Sequence, residues 1–321
     1  MARPIRIFSR PRDVTSEITQ ITIQLRSLLR PGERLNLLII GALAKALLLY
    51  PIRIHGFIFL STHFHILATF PDVERMSNFM KHFTQKLSKE VGILHDWKGT
   101  TVFPNRFKHV ELSQEPEIEV ARLRYILKNS CKEGLVMSPL DWPGVSSTEA
   151  LITGEPMRGI WIDRRALSQA KSRGEDVTET DFTEELELRL TPIPSLDHLS
   201  PQAYRRLILD LVREIEDETV QMHRESQTVP LGIEAVLNRH PHHRPKPQEE
   251  SPRPWFHALS RESRRAMRTA LTWILAAYRE AADRYRAGDL GVAFPEGTFP
   301  PPRPFMTPTG VLVAPGSWDS G

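Results

Sequence analysis

Two histidines separated by one residue form the part of the sequence whose chemistry is easiest to interpret. His63, Phe64 and His65 begin an apolar run over residues 63–70 with the composition of a β-strand. Alternate side chains of a strand share one face, so both imidazoles, about 7 Å apart along the strand, can reach one divalent cation. Taken alone, the pattern predicts either a metal site or histidines that simply pack in a core.

A tyrosine and an amide lie one helical turn apart in the second feature. Residues 116–129 have the apolar period of a helix and begin with proline. Arg122, Tyr125 and Asn129 follow at spacings of three and four, which places them on one face. This face bears a guanidinium, a phenol and an amide. It is either a functional surface or an ordinary solvent-exposed side of the helix.

The surrounding elements predict a mixed α+β fold with an antiparallel sheet and packed helices, followed by a mainly helical, proline-rich C-terminal region. The predicted strands are residues 21–29, 52–60, 63–70 and 107–112. The predicted helices are residues 35–48, a helix beginning after Asp72, and residues 116–129, 201–222 and 262–286. The first two features therefore belong to a hairpin strand and to a helix that follows a further strand.

Composition limits the classes of protein to which the chain can belong. A length of 321 residues favours two domains, and a single cysteine, Cys131, excludes an internal disulfide framework. Residues 1–160 carry 21 Lys and Arg against 15 Asp and Glu, a mild basic excess compatible with a polyanion. The longest apolar stretch, residues 35–50, is too short and polar to span a bilayer. We expect a cytoplasmic protein with no membrane partner.

The histidine hairpin, a helix, a strand and the tyrosine helix follow one another along the chain. In this order of motifs the sequence resembles the single-tyrosine HUH transposases, most closely the REP-associated tyrosine transposases and their longer bacterial relatives. The resemblance covers about residues 20–148. The matching stretches are Ser61-Thr62-His63-Phe64-His65, Tyr125-Ile126-Leu127-Lys128-Asn129, Gly134-Leu135-Val136 and Asp141-Trp142-Pro143 through Ser146-Ser147. The resemblance implies a ferredoxin-like HUH domain over residues 1–148. The glycines, prolines and dense acidic run of residues 149–195 predict a linker with an acidic surface helix, and the pattern of residues 196–321 predicts a helical, proline-rich extension.

The resemblance also assigns roles to individual residues. It implies that Tyr125 is the nucleophile and that His63, His65 and Asn129 bind a divalent metal, Mg²⁺ or Mn²⁺. Mixed nitrogen and oxygen donors suit these ions, and imidazole favours Mn²⁺. Arg106 resembles the arginine of the family's strand that precedes the tyrosine helix, and it would contact phosphate at most. The further predicted DNA-binding residues are Lys81, Lys86 and Arg122.

Two motif flanks depart from the family pattern. Ser61-Thr62 stands where the family has Pro-Asn or Ser-Asn before the histidine pair. Ser130-Cys131 follows Asn129 where the family continues with Pro-Val. Neither change removes a catalytic atom, but both change how the backbone is held.

The resemblance implies metal-dependent nicking and strand transfer of single-stranded or hairpin DNA through a 5′-phosphotyrosine, by a monomer or a homodimer. The altered flanks motivate an alternative, a domesticated protein that binds DNA hairpins without cutting. A metal hydrolase unrelated to DNA is disfavoured because no further Asp/His cluster follows the histidine pair. His240, His242 and His243 could bind metal, but the prolines and arginines around them favour a flexible basic loop.

Overall fold

The computed structural model describes residues 7–10, 12–98, 100–245, 254–296 and 298–302, and the backbone of 305–306 and 312–313. Its strands and longer helices are, in chain order, β1 Val14–Ile21, α1 Glu33–Leu49, β2 Arg53–Phe59, β3 His63–Phe70, α2 Val73–Leu94, β4 Lys108–Leu112, α3 Pro116–Lys132, α4 Thr148–Thr153, β5 Met157–Ile162, α5 Arg164–Ser172, β6 Thr183–Leu188, α6 Pro201–Ser226, α7 Ile233–Asn238, β7 Phe256–His257, α8 Arg261–Arg286, β8 Phe305–Met306 and β9 Leu312–Val313.

A five-stranded sheet in the order β2-β3-β1-β4-β7 forms the centre of the described molecule. Its first four strands pair antiparallel, and the short β7 adds a parallel pair to β4. The sheet and the helices packed on it confirm the mixed α+β class. Strand β3 begins at His63, as the alternation predicted, and Asp72 caps α2 by accepting a 2.6 Å hydrogen bond from the Arg75 amide.

The two faces of the sheet support separate apolar cores. Phe64, Ile66 and Phe70 of β3 point to the face covered by α1 and α2, where the stripe of α2 is fully buried. Leu67 points the other way and packs in a core with Leu123 and Ile126 of α3. Because strand side chains alternate, His63 and His65 share the α3 face with Leu67. The sheet therefore presents the histidine pair to the tyrosine helix.

The first strand begins earlier than the sequence predicted. The expected strand at residues 21–29 is wrong: β1 ends at Ile21, and a short 3₁₀ turn with positive φ at Gln24 and Leu25 follows. Leu28 and Leu29 are nevertheless buried, which explains their strand-like composition. The true strand carries polar side chains that the sheet satisfies internally, as in the 2.8 Å hydrogen bond between Thr15 and Thr69.

Residues 149–195 differ from the predicted linker with an acidic surface helix. They contain the antiparallel pair β5–β6, which packs against α1. Gly41 and Gly159 make this contact possible, since a Cβ on Gly41 would lie 2.0 Å from the Ile160 carbonyl oxygen. Leu188 of β6 is fully buried in the core that α1 and α2 share. Within β6, Glu185 and Glu187 alternate with the buried Leu186 and Leu188, a strand period that the acidic composition concealed.

The two long helices predicted near the C-terminus are present, and each extends slightly beyond its predicted range. Helix α6 packs beside α3 and α4, and α8 covers the range predicted as a long amphipathic helix. Part of the predicted loop at residues 239–254 lies outside the described residues. Among the helices of the described ranges, none has the length and apolar character needed to cross a membrane.

Candidate functional site

A histidine pair on β3 lies at the centre of the site. The rings of His63 and His65 are 5.1 Å apart between centroids and nearly perpendicular. His63 is half-buried and His65 is buried. Nδ1 of His63 lies 2.9 Å from the hydroxyl of the preceding residue, Thr62. Antiparallel pairing to β1 sets Thr19 directly opposite His65.

A buried glutamate holds the inner histidine. Nδ1 of His65 donates to Oε1 of Glu17 at 2.7 Å, and the hydroxyl of Thr19 lies 3.2 Å from the same nitrogen. Burial opposes ionisation of Glu17, but the hydrogen bond and charge of His65 and the charge of Arg122 outweigh it. The pKa of Glu17 therefore lies below its ordinary value. A carboxylate in this position fixes the tautomer and the orientation of the ring.

The tyrosine lies against this histidine. The rings of Tyr125 and His65 are 5.6 Å apart between centroids, at 83°. The guanidinium of Arg122 lies 4.2 Å from the Tyr125 ring centroid, and the ammonium of Lys132 lies 5.1 Å from it. Arg122 also pairs with Oε2 of Glu17. A single connected group therefore joins the first strand, the histidine strand and the tyrosine helix.

Asn129 lies one helical turn beyond the tyrosine and is 1% exposed. Within the described part of the chain, neither its Nδ2 nor its Oδ1 has a hydrogen-bond partner. A buried side-chain amide without partners costs free energy and is uncommon in folded proteins. An amide of this kind fits an oxygen ligand whose partner is an ion. Imidazole nitrogens and an amide oxygen are donor types that a divalent metal accepts.

The predicted DNA-binding residues do not form one cluster. Arg122 lies at the tyrosine, whereas Lys81 and Arg106 line a cavity between α2 and the loop before β4. Lys86 lies elsewhere, paired with Glu90 at 2.6 Å and stacked over the Trp161 ring at 4.2 Å. Its side chain is 9% exposed, so contacts within the chain already occupy it.

Sequence reasoning missed three residues near the tyrosine: Glu17, Lys132 and His257. Glu17 lies on β1, outside the predicted strand. His257 joins the sheet because β7 pairs with β4 opposite Leu112, on the α3 face. Burial and the charge of Arg122 lower the pKa of His257, and the charge of Glu17 raises it. Only Lys132 carried a usable signal, since it lies seven residues beyond Tyr125 on the same helix.

The histidines of the later loop lie away from this site. His242 packs edge-on against Trp97 at 5.1 Å, and its Nε2 lies 3.0 Å from the His95 carbonyl oxygen. The His243 carbonyl accepts a hydrogen bond from the Ser27 amide. Across the described ranges, no group of three or more His, Cys, Asp or Glu side chains is arranged to hold a metal. The ligand set that the sequence predicted lies outside this definition, because its third member, Asn129, is an amide.

Comparisons with known proteins find a distant likeness among solved structures. No family model matches this sequence, and no curated protein matches it. A solved structure of a REP-associated tyrosine transposase bound to a REP hairpin is similar, with a TM-score of 0.35 and 20% sequence identity. The similarity covers 48% of this chain and 86% of that chain. This likeness is distant and extends over about half of the sequence.

Proposed function

We propose that this chain nicks single-stranded DNA and transfers the strand in a metal-dependent reaction, through a 5′-phosphotyrosine on Tyr125. The observation that carries the proposal is the 5.6 Å contact between the Tyr125 and His65 rings, on which Glu17 and Arg122 converge. A phenol beside a fixed imidazole and two cations is an arrangement suited to attack on a phosphodiester.

A divalent ion, Mg²⁺ or Mn²⁺, would be held by His63, His65 and Asn129. Glu17 occupies Nδ1 of His65, which leaves Nε2 as the coordinating atom. The buried amide of Asn129 supports the third position, because coordination would satisfy an otherwise costly group. When bound, the ion would supply electrostatic stabilisation of the charge that develops on the scissile phosphate.

The proposed covalent step exchanges one phosphate ester for another. The Tyr125 oxygen bonds to phosphorus, the bond from phosphorus to the 3′ oxygen breaks, and the leaving oxygen takes up a proton while the phenol loses one. The phosphotyrosine keeps the ester, so attack by another 3′ hydroxyl can reseal the strand without a further energy source. Arg122 and Lys132 would hold the phosphate beside the ring through their positive charge.

The substrate that fits this chemistry is an unpaired DNA backbone, carried next to a hairpin. An extended strand can place a phosphate at a half-buried tyrosine, and its bases can stack on aromatic side chains while Lys and Arg follow the phosphates. Helix α6 limits the surface available to the strand, because Glu218 pairs with Lys128 at 2.7 Å and also with Arg124. The strand would therefore approach Tyr125 along the side of α3 that bears Arg122 and Lys132.

We also propose that residues 1–148 form a ferredoxin-like HUH domain. The order β1-α1-β2-β3-α2-β4, with β2-β3-β1-β4 as neighbours in the sheet, supports this assignment. The segment from 149 onward would then extend that domain, because β5–β6 pack on α1 and β7 joins the sheet edge.

The deciding experiment is incubation of the full chain with end-labelled hairpin DNA bearing an unpaired flank and Mn²⁺, followed by denaturing electrophoresis. We expect a covalent protein–DNA adduct that chelation prevents. The alternative, a hairpin-binding protein that does not cut, predicts retarded DNA on a native gel and no adduct with any flank. Cleavage that persists after exhaustive chelation would contradict the proposed metal site.

A further inference from the structure

A second site lies on the sheet face opposite the tyrosine. A cavity of about 340 Å³ opens between α2 and the loop before β4, and Gln20 of β1 forms part of its wall. Gln20 alternates with Thr19, which faces His65, so the cavity and the histidine pair lie on opposite faces. They nevertheless share one end of the sheet, because Gln20 pairs with Phe64 beside His63.

The side chains that line this cavity combine cations, aromatic rings and amides. Lys81 and Arg106 supply positive charge, and Phe103 and Phe107 supply aromatic surface. Among the described lining residues none is acidic. Amides come from Gln20, Asn78 and Asn105. A ligand complementary to such a wall has a negative group, a planar ring and hydrogen-bonding edges.

The C-terminal region contributes one further ring. Phe299 lines the cavity from a segment far along the chain, and its side chain is 46% exposed. The hydroxyl of Tyr278 on α8 donates a 3.0 Å hydrogen bond to the Phe299 carbonyl oxygen, which ties this segment to a long helix. Because aromatic side chains from two parts of the sequence line the cavity, a planar ring can be held between them.

We propose that this cavity binds one unpaired nucleotide, its base against the phenylalanines and its phosphate between Lys81 and Arg106. The volume lies at the lower end of the range for small-ligand sites, which suits a single nucleotide better than a duplex. The inference rests on the proposed function for its choice of DNA. A strand that rounds this end of the sheet would engage both the cavity and the tyrosine face.

The first test measures affinity without cleavage. A fluorescein-labelled deoxythymidine pentamer is titrated with the full chain in EDTA, and its anisotropy is followed. We expect the double variant Lys81→Ala/Arg106→Ala to bind about tenfold more weakly, with a salt dependence reduced by about 0.7 in slope, because the neutralisation of one phosphate is lost. Lys89→Ala is the matched control, an exposed lysine of the same helix outside the cavity.

The second test locates the base. A pentamer with a central 5-bromodeoxyuridine is irradiated in the complex and the cross-linked peptide is identified by mass spectrometry. We expect cross-links at Phe103, Phe107 or Phe299, and a loss of yield in Phe299→Ala. Trp273→Ala, which removes an exposed ring of α8, serves as the control. Cross-links confined to α3 would overturn the proposal, as would a double variant that binds like Lys89→Ala.

Competition separates two sources of the same ligand chemistry. If unlabelled thymidine monophosphate displaces the pentamer, the cavity recognises a free nucleotide, whereas displacement by the unlabelled pentamer alone assigns it to a strand. A pentamer that neither competitor displaces would contradict a specific site. Because these measurements need no metal, wild-type binding with no adduct would reject only the proposed nicking. An adduct with no effect of the cavity variants would reject only the cavity.

Discussion

The ring of His65 meets the ring of Tyr125 edge-on at 5.6 Å, and the carboxylate of Glu17 joins His65 to Arg122 behind that contact. Three elements distant in sequence therefore meet at one polar group between the sheet and α3. Buried polar groups that are connected in this way restrict the arrangement of their side chains. The same relationship suggests separate tests for the proposed nucleophile, its support and the proposed metal ligands.

Removal of the phenol oxygen should separate cutting from binding. Tyr125→Phe keeps the ring that packs against His65 and deletes one oxygen, so we expect no adduct with hairpin DNA and an affinity within about twofold of the wild type. Denaturing and native gels measure the two quantities. Tyr50→Phe, on a partly buried tyrosine that packs beside His82, is the control. Adduct formation by Tyr125→Phe would place the nucleophile elsewhere.

Loss of the Glu17 charge that holds His65 should slow adduct formation more than it destabilises the fold. Glu17→Gln keeps the size of the side chain but removes the charge that holds Nδ1 of His65 and pairs with Arg122. We expect adduct formation to slow by about 10- to 100-fold, as for other carboxylates behind metal-binding histidines. Single-turnover kinetics over a range of Mn²⁺ concentrations give the rate and the apparent metal affinity.

The matched control for this variant is Glu111→Gln. Glu111 is also a buried strand carboxylate, but it is hydrogen-bonded to Ser9, and burial raises its pKa. We expect its adduct kinetics to stay within about twofold of the wild type. Equal losses in both variants would mean that Glu17 acts through stability alone.

Asn129 gives a test in which stability and activity move in opposite directions. Asn129→Leu replaces a buried amide without described partners by an apolar group of similar size. We expect the free energy of unfolding to rise by about 1 kcal/mol or more, while adduct formation falls below detection. Urea unfolding and the gel assay measure the two changes. A less stable variant with normal activity would assign the amide a structural role.

Loss of the two imidazoles should abolish cutting whichever ion is supplied. For His63→Ala/His65→Ala we expect adduct formation to fall by several orders of magnitude with Mg²⁺ or Mn²⁺. Hairpin affinity should fall far less and should still weaken steeply with salt, because released counterions drive it. Since His65 is buried, His63→Ala alone is the second variant if the pair fails to fold. Cutting by either variant at the wild-type rate would contradict the metal site.

A histidine outside the site should set part of the acid sensitivity of the fold. Burial, together with the charge of Arg53, lowers the pKa of His55 to about 4, and its Nε2 lies 2.8 Å from the Thr69 hydroxyl. The unfolded chain binds this proton near pH 6.5 and the folded chain only near pH 4, so stability is lost as pH falls through that window. We expect a loss of about 2–3 kcal/mol.

Urea unfolding at pH 7 and pH 4.5 measures this loss. In His55→Gln the difference between the two pH values should shrink by most of that amount, because the substituted side chain does not titrate. His95, whose pKa burial also lowers to about 4, contributes in the same direction and remains in the variant. An unchanged pH dependence in His55→Gln would show that His55 is not the source of this loss of stability.

The sequence determined the local elements on which the chemistry depends. Alternation in residues 63–70 fixed the strand and the shared face of His63 and His65, and helical spacing fixed the face of Tyr125 and Asn129. These periods arise from backbone geometry, so they can be read without knowledge of any distant contact. The roles of the residues are a different matter, because one spacing serves packing and catalysis equally well.

Tertiary structure alone decided which distant residues complete the site. Glu17 belongs to a strand with buried polar side chains and is held by distant partners, His65 on β3 and Arg122 on α3, so its sequence does not resemble a buried strand. His257 reaches the α3 face only because β7 pairs with β4. Lys86 contacts Glu90 and the Trp161 ring and therefore lies apart from the other predicted DNA-binding residues. Such pairings depend on long-range burial and charge neutralisation, and no periodicity in the sequence encodes them.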